Sequence, residues 1–235
     1  MSATARYTSL GFAAAIAVTC WAAMDAHADG NAASEIREYE ILVKGKPAGS
    51  VSTRVATSGD GLTTVSTNAT LASNFIVYEY HYEFHGREQW RGDQLISVDD
   101  HAVDGGTQLA LRLAIAAGQS VVDVPGKPTT AGPVPAMTTS YWRPPTGPSG
   151  SSLVILEADQ PVFHQVRIEA ITAEQYPVVG RMQHCTHYRL RGDANADLWF
   201  DDSGRLVGQQ TVEDGYPVEL RLTRVSPEYS QPTIR

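Results

Sequence analysis

The chain has 235 residues, a formal net charge of −8 and 42% hydrophobic residues, a composition that suits a globular protein with a sizeable core. An acidic chain without a basic run is a poor candidate for binding nucleic acid or anionic lipid headgroups, so we expect neither as the main partner. After residue 28, no apolar stretch approaches the roughly 20 residues of a membrane-spanning helix.

The first 28 residues have the features of a secretory signal peptide. Arg6 supplies a short positive region, residues 10–23 are apolar apart from Thr19, and Ala-His-Ala at 26–28 has the small-x-small pattern that signal peptidase recognises. The apolar run is also too short for a comfortable membrane span. We therefore expect cleavage after Ala28, a periplasmic or secreted protein, and no integral membrane segment in the mature chain.

The two cysteines bear on processing and on stability. The stretch AVTC, ending at Cys20, weakly resembles a lipoprotein cleavage box, but Thr19 stands where Gly, Ala or Ser is usual, and Ala17 replaces the usual Leu. Lipidation at Cys20 is therefore the less favoured alternative. Signal cleavage would leave Cys185 as the only cysteine, so we expect no intrachain disulfide and a fold held by its core.

Alternating stretches separated by Gly/Asp turns predict β-hairpins throughout the mature chain. In the first half, YEILVK, AGSVSTRVAT and LTTVSTNATL, separated by Gly-Lys-Pro and Ser-Gly-Asp-Gly turns, are followed by a long strand over residues 75–90, by LISVDDHAV and by LALRLAIA. The Ala/Leu content of the last segment would also suit a helix. In the second half, VFHQVRIEAIT, HCTHYRLRG, ADLWFDDSG, RLVGQQTVEDG and YPVELRLTRV bring the count to about eleven strands.

Residues 125–150 hold seven of the thirteen prolines and are too long for a hairpin loop. We predict a crossover that wraps over one sheet or one barrel end, with TTSYW (Thr138–Trp142) as its anchor. Residues 29–235 then form a single all-β domain, with a tail that frays after about residue 226. The expected architecture is one curled antiparallel sheet, a half-barrel or barrel-like meander.

Four segments together resemble the domain of unknown function 6134 family. They are YEILVKGKPAG, YEYHYEFHGREQWRGDQLISVD, TSYW and YRLRGDANADLWFDDSGRLVG, in that order along nearly the whole mature chain. The resemblance implies an exported bacterial protein of uncharacterised role with one β-rich envelope domain. It transfers no catalytic residues. A likeness to half-barrel folds of the lipoprotein-carrier type is an analogy, and fold alone assigns no function.

The stretch YEYHYEFHG at 78–86 alternates strictly between aromatic and polar residues. On a strand, the aromatic residues face one side and Glu79, His81, Glu83 and His85 the other. The spacing would allow His81 and Glu83 to share a zinc ion, and a metal-dependent hydrolase is the third functional hypothesis. A half-solvated strand shows the same alternation by default, so we favour a solvent-facing row without metal.

Two other clusters are weaker candidates. In HCTH, Cys185 and His187 share a strand face whereas His184 points to the opposite face, which favours a small buried thiol over a metal site or a nucleophile. In VDDHAVD, Asp99 and His101 share a face, but the calcium-loop pattern is absent. We expect no cofactor.

The aromatic residues lead to the main functional hypothesis. If the sheet curls, its concave face could be a plain core or an apolar ligand pocket, since larger barrels leave room for ligands. We predict that an apolar or lipid-like molecule binds there, with Trp142 as a lid. The alternative is a structural or protein-interaction module without a ligand. The candidate ligand-binding residues are Tyr78, Tyr80, Tyr82, Trp142, Tyr188 and Phe200.

Overall fold

A computed structural model gives the fold of residues 33–75, 78–213 and 215–228. Strands make up 72% of the structure and helices are absent from it, which confirms the predicted all-β class. Within these ranges, no helix is long and apolar enough to cross a membrane. The predicted signal peptide lies outside the described residues, so its cleavage stays a prediction.

One open, curled sheet of fifteen strands confirms the predicted architecture. The first half contains β1 (Ala33–Val43), β2 (Lys46–Thr57), β3 (Leu62–Phe75), β4 (Tyr78–Arg91), β5 (Gln94–Asp104), β6 (Thr107–Ala116), β7 (Gln119–Asp123) and β8 (Thr130–Gly132). The second half contains β9 (Met137–Thr138), β10 (Ser152–Leu156), β11 (Phe163–Val178), β12 (Arg181–Gly192), β13 (Ala196–Phe200), β14 (Leu206–Glu213) and β15 (Tyr216–Glu228).

The topology consists of two meanders that meet at the first and last strands. Strand order runs from β8 back to β1, then from β15 back to β9, with β1 and β15 paired antiparallel. Strands β8 and β9 are the two edges, and β9 and β10 pair in parallel. Only four residues, 133–136, link the two edge strands. The end of β8 therefore lies within about 17 Å of the start of β9. The sheet is therefore curled almost into a barrel.

The local sequence explains why these strands form. Successive strands are joined by tight turns whose residues have positive φ, such as Lys44 at 53° and Gly45 at 74°. Turns of this hand match the twist of the flanking strands. Within the strands, the alternation of apolar and polar residues allows one face to be buried while the other remains in water.

Two hydrophobic clusters fill much of the concave face. One lies on the second half of the sheet and includes Ile155, Ile168, Leu190, Leu198 and Phe200, none more than 1% exposed. The other lies on the first half and includes Val65, Trp90, Leu95, Val98 and Leu111. Burial of this much apolar surface, at about 25 cal/mol per Å², is the main stabilising contribution to the fold.

The Pro-rich crossover is anchored inside the curl at the predicted TTSYW segment. Thr138 is 1% exposed, and Arg37 on β1 donates a hydrogen bond to the carbonyl oxygen of Trp142 at 2.6 Å. The Arg143 guanidinium lies over the Trp90 ring, 4.6 Å from its centroid. The crossover also contributes the short strands β8 and β9, which the sequence analysis did not predict.

Strand number and two boundaries differ from the sequence prediction. Fifteen strands are present rather than about eleven, since β7, β8, β9 and β10 were not predicted. Phe75 ends β3 and pairs with Tyr78 at the start of β4, so residues 75–90 are not one continuous strand. Strand β15 continues to Glu228, beyond the predicted end of order near 226, because it pairs with β1 up to Ser34.

Strand parity predicts burial of six residues, and the structure confirms this only in part. The six are Tyr80, Tyr82, Leu111, Leu190, Leu198 and Leu220. Leu111, Leu190 and Leu198 are at most 1% exposed, whereas Tyr80, Tyr82 and Leu220 are half-buried, not largely buried. These three lie toward one end of the concave face, where neighbours such as Gln209 and Asp104 are polar. This end of the curl is therefore less completely filled than its middle.

Candidate functional site

The inner face of the first meander carries carboxyl groups among its apolar side chains. Strand register places Val65, Glu88 and Val98 side by side in one row, and Gly86, Asp100 and Leu111 in the next. Glu88 is 4% exposed and Asp100 is 2% exposed. Buried carboxyl groups need hydrogen-bond partners or protonation, so their surroundings determine what this face can do.

Glu88 links the sheet to the crossover. Its Oε2 accepts a hydrogen bond from Trp90 Nε1 at 2.8 Å, and its Oε1 accepts one from Thr138 Oγ1 at 2.7 Å. Burial raises the pKa of Glu88 above its usual range, against the lowering effect of the hydrogen bonds from Thr138, Ser140 and Trp90. The side chain thus serves as a buried acceptor that holds the crossover in the curl.

Asp100 is less completely satisfied. Its Oδ1 accepts a hydrogen bond from the backbone N–H of Arg87 at 3.1 Å, while its Oδ2 has no hydrogen-bond partner among the described residues. Burial, reinforced by the charge of Glu88, raises the pKa of Asp100 to about 9. Asp100 is therefore protonated at neutral pH. The residue opposite Asp100 is Gly86, and a larger residue would not fit there because its Cβ would lie 2.6 Å from Asp100 Oδ1.

The half-buried end of the concave face holds two tyrosine–aspartate pairs. Tyr82 donates a hydrogen bond to Asp159 Oδ2 at 2.9 Å, and Tyr80 donates one to Asp104 Oδ1 at 2.6 Å. Burial raises the pKa of Asp159 and that of Tyr82. Asp159 belongs to the connection between β10 and β11, which is thereby held against β4.

A cavity of about 600 Å³ lies beside Asp159. Its lining comes from β4, β5, β6, the segment after β7 and the β10–β11 connection, and it combines apolar with ionisable groups. The lining residues are Glu83, His85, His101, Ala102, Val103, Gln108, Leu109, Ala110, Val124, Pro125, Lys127, Asp159, Gln160 and Pro161. This volume is within the range of small-ligand sites, about 300–1,000 Å³.

The structure does not bring the six predicted ligand-binding residues into one site. Tyr82 lies next to this cavity through Asp159, and Tyr80 is two residues along the same strand. Trp142 packs edge-on against Trp90, with ring centroids 5.9 Å apart, in the cluster of the first half.

The remaining candidates lie elsewhere or outside the description. Tyr188 contacts Phe200 edge-on, with ring centroids 5.7 Å apart, in the cluster of the second half. The side chain of Tyr78 lies outside the described part of the structure. A ligand role for these residues and for Trp142 stays a prediction.

The polar row of β4 faces solvent, as predicted. His81 and Glu83 have side chains 56% and 45% exposed and contact each other at 2.9 Å, and His85 is also exposed. Among the described residues, no group of three or more His, Cys, Asp or Glu side chains is arranged to hold a metal ion. Glu79 has no described side chain.

The HCTH segment forms part of a convex-face cluster. Cys185 and His187 are buried on one face of β12 and His184 is exposed, as the strand periodicity predicted. The His187 ring stacks on Trp199 with centroids 4.4 Å apart, and Tyr176 stacks on the same indole at 4.6 Å. Burial raises the pKa of the Cys185 thiol, which makes it a poor nucleophile.

Ion pairs complete the convex-face cluster. His187 Nε2 lies 2.8 Å from Asp197 Oδ1, and Arg191 donates to Asp197 Oδ2 at 2.8 Å. Burial alone would raise the pKa of Asp197, but the hydrogen bonds and charges of Arg191 and His187 lower it below its usual range. Trp199 Nε1 donates a hydrogen bond to Glu174. These contacts connect three strands, β11, β12 and β13, and describe a structural cluster.

Glu88 and Asp100 were not among the predicted site residues, although a signal was present in the sequence. Glu88 shares strand parity with Phe84 and Trp90, and Asp100 shares it with Val98 and Ala102. A carboxyl residue at an apolar parity position indicates a buried, hydrogen-bonded group. The cavity beside Asp159 had no such signal because its walls come from segments far apart in the chain.

Comparison with known proteins assigns a family. The family described as "Domain of unknown function (DUF6134)" matches residues 39–223, which confirms the resemblance inferred from the residues. No curated protein matches the chain.

Comparison with solved structures concerns the fold alone. A beta-barrel-like protein of the domain of unknown function DUF1849 from Brucella abortus is similar, with a TM-score of 0.62 and 9% identity over 84% of this chain and 98% of that chain. A putative outer membrane lipoprotein-sorting protein domain from Vibrio parahaemolyticus matches with a TM-score of 0.26 and 8% identity, over 85% and 87% of the two chains. The second likeness is too low to support an argument.

Proposed function

Because this chain belongs to the DUF6134 family, whose description assigns no activity, we propose a function from its geometry: an envelope protein that binds an apolar or lipid-like ligand. The cavity of about 600 Å³ beside Asp159 carries this proposal. It borders the half-buried end of the curl through Asp159, which accepts a hydrogen bond from Tyr82, and Glu83 and His85 of the outer row of β4 also line it.

The lining indicates what kind of molecule fits. Leu109, Val124 and Pro161 offer apolar contact, and burial of an alkyl chain there contributes about 0.8 kcal/mol per methylene before ordering costs. Lys127 places a cationic group at the same cavity, and Glu83 and Asp159 place carboxyl groups there. An amphiphile with a neutral or zwitterionic polar end fits this combination and belongs to the lipid-like class expected from the sequence.

Extraction of the purified protein tests the proposal directly. Protein isolated from its exporting host should release a lipid-like molecule at near-stoichiometric yield on organic extraction, detected by mass spectrometry. Dansyl-undecanoic acid, added to stripped protein, should show saturable fluorescence enhancement. Leu109→Trp fills the cavity and should weaken this binding by at least about tenfold, the effect of roughly two unburied methylenes.

A matched control separates cavity filling from general disturbance. Val121→Trp introduces the same ring at an exposed position of β7 and should leave the titration unchanged. Empty extracts together with identical titrations for both variants would refute ligand binding. The second candidate, a structural or interaction module, would then take its place, supported by the two filled clusters on the concave face.

Export is the cellular part of the proposal and rests on the first 28 residues. Expression in a Gram-negative host should place the protein in the periplasm, with an intact mass that corresponds to a chain starting at Asp29. A diacylglyceryl adduct on Cys20 would instead identify a lipoprotein, and an uncleaved chain retained in the cytoplasm would contradict export.

A further inference from the structure

The hairpin of β11 and β12 continues past the two strands that flank it, β10 and β13. Strand β10 pairs with β11 only over Phe163–Arg167, and β13 pairs with β12 only over Thr186–Leu190. Residues 173–185, here called the ribbon, continue past both contacts as two strands joined by a Val179-Gly180 turn. Among the described residues, its strands hydrogen-bond as a ladder only with each other.

The two faces of the ribbon differ. Tyr176, Val178 and Cys185 are buried in the convex-face side of the core cluster, at 7%, 4% and 3% exposure. On the opposite face, Pro177 pairs with Met182 and both are exposed.

The ribbon tip concentrates exposed apolar side chains. Met182 is 61% exposed and Val179 is 59% exposed. Together with Val212, they are the three most exposed large hydrophobic residues in the described structure. Clustering of two such side chains at one exposed turn distinguishes this site from the single hydrophobic residues common on surfaces.

The turn is also strained at the apolar residue. Val179 has φ of 46° and Gly180 has φ of 75°. Two-residue turns with positive φ at both positions favour Asn-Gly, and a β-branched residue in this region is an outlier. Burial does not offset the strain because the Val179 side chain faces solvent. Neither backbone conformation nor burial among the described residues therefore explains why an apolar residue occupies this turn.

Local charge at the tip is opposite to that of the whole protein. No Asp or Glu occurs between Glu174 and Asp193, in a chain with 26 acidic residues. Arg181 and His184 are exposed and form no ion pair within the described structure. The adjacent carboxylate Glu174 is already engaged by Trp199 and His187.

We propose that the ribbon tip docks on the surface of a bilayer that contains anionic lipid, with Val179 and Met182 in the headgroup–acyl boundary and Arg181 beside lipid phosphates. Exposed apolar groups next to a cation are the combination that binds such interfaces. The acidic surface of the rest of the molecule restricts attachment to this end. The proposal goes beyond ligand binding in the cavity and does not depend on it.

Vesicle co-sedimentation tests the docking. Protein purified from the exporting host should sediment with equimolar phosphatidylglycerol/phosphatidylcholine vesicles and much less with phosphatidylcholine alone, and added salt should weaken binding. The double variant Val179→Asn/Met182→Gln should bind at least about fivefold more weakly, since most of its inserted apolar surface is gone. It should unfold at the same or higher urea concentration, because Asn relieves the turn strain.

Two controls distinguish the tip from the general surface. Val212→Asn removes an equally exposed valine from β14 and should leave vesicle binding unchanged. Arg181→Glu should reduce binding to the anionic vesicles, whereas Arg112→Glu on β6, in the other meander, should not.

Three outcomes would overturn the proposal. The first is equal sedimentation of wild type and the double variant. The second is equal binding to neutral and anionic vesicles. The third is self-association, seen by light scattering, that the double variant abolishes in the absence of vesicle binding. That last result would assign the tip to contact between copies of this chain.

Discussion

Two groups of carboxyl side chains, one on each face of the sheet, differ in charge state for a physical reason. On the concave face, Asp100 is buried beside Glu88, and its pKa rises to about 9. On the convex face, Asp197 is partly buried as well, yet its pKa falls because Arg191 and His187 donate to it. Burial acts in the same direction on both, so the difference comes from the presence or absence of a cation.

The concave face does contain arginines, but they bind elsewhere. Arg37 donates to Glu35 and to the carbonyl of Trp142, and Arg143 forms its ion pair with Asp93. Neither forms a hydrogen bond with Asp100. A buried carboxyl group without a paired cation becomes neutral, whereas one that is paired stays charged. The two clusters are therefore expected to give the protein opposite pH responses.

The largest expected effect is the pH dependence due to Asp100. Its folded pKa, about 9, is above the unfolded value near 3.8, so the folded state retains a proton that the unfolded state loses. Stability should therefore fall as pH rises from about 4 to about 9, on the order of several kcal/mol. Asp100→Asn should remove this contribution. Urea unfolding of both proteins from pH 4 to pH 9 measures it, and parallel pH profiles would contradict the assignment.

Truncation of Glu88 should lower the free energy of unfolding by slightly less than the contribution expected from Asp100. Glu88→Ala leaves Trp90 Nε1 and Thr138 Oγ1 without their buried acceptor and should destabilise the protein by about 3 kcal/mol. Glu88→Gln keeps the volume and one acceptor oxygen, so its cost should be smaller, about 1 kcal/mol. Urea unfolding at pH 6 compares the two. Equal stability of Glu88→Ala and wild type would show that the crossover is not held by this side chain.

The convex-face counterpart is expected to respond with the opposite sign. The pKa of Asp197 is lower in the folded than in the unfolded state, so its contribution is present above about pH 4 and lost as pH falls. Asp197→Asn should destabilise the protein at pH 7 by about 1–2 kcal/mol and have little effect near pH 2. Thermal unfolding at the two pH values measures this difference. A larger destabilisation by Asp197→Asn near pH 2 than at pH 7 would contradict the proposed pairing of Asp197 with Arg191 and His187.

The smallest effect is expected on the outer row of β4. His81 and His85 are exposed, so the double change to Gln should alter the free energy of unfolding by no more than about 0.5 kcal/mol. The same strand carries Glu88 on its other face, so the histidine variant and the Glu88 variants compare the exposed and buried faces of β4. Stoichiometric zinc in the wild type, lost in the double variant, would instead indicate a metal site.

Much of the fold was predictable because its signals are local. Alternation in β4 and β12 predicted which side chains share a face, and Gly/Asp turns predicted where most hairpins end. The short strands β8 and β9 were missed, since two or three residues in a Pro-rich segment carry no periodicity. Tyr80 and Tyr82 have core parity but are only half-buried, because parity sets the face and not the depth of cover.

The candidate cavity was beyond local reasoning. Lys127 follows β7, Leu109 lies on β6, and Asp159 lies between β10 and β11. Aromatic content suggested instead a pocket lined by Trp142, Tyr188 and Phe200. Those rings lie in two separate clusters, since large apolar side chains pack against each other first and leave polar, half-covered positions to line an open end.

By itself the sequence determined the β class, the faces of the strands, the family resemblance and the anchor of the crossover, all of which depend on residues close together in the chain. Only the tertiary structure decided that β1 pairs with β15, that Asp100 is neutral and Asp197 charged, and that the ribbon tip is left exposed. Pairing, burial and pKa depend on groups that distant segments bring into contact. Periodicity in a single strand contains no information about those partners.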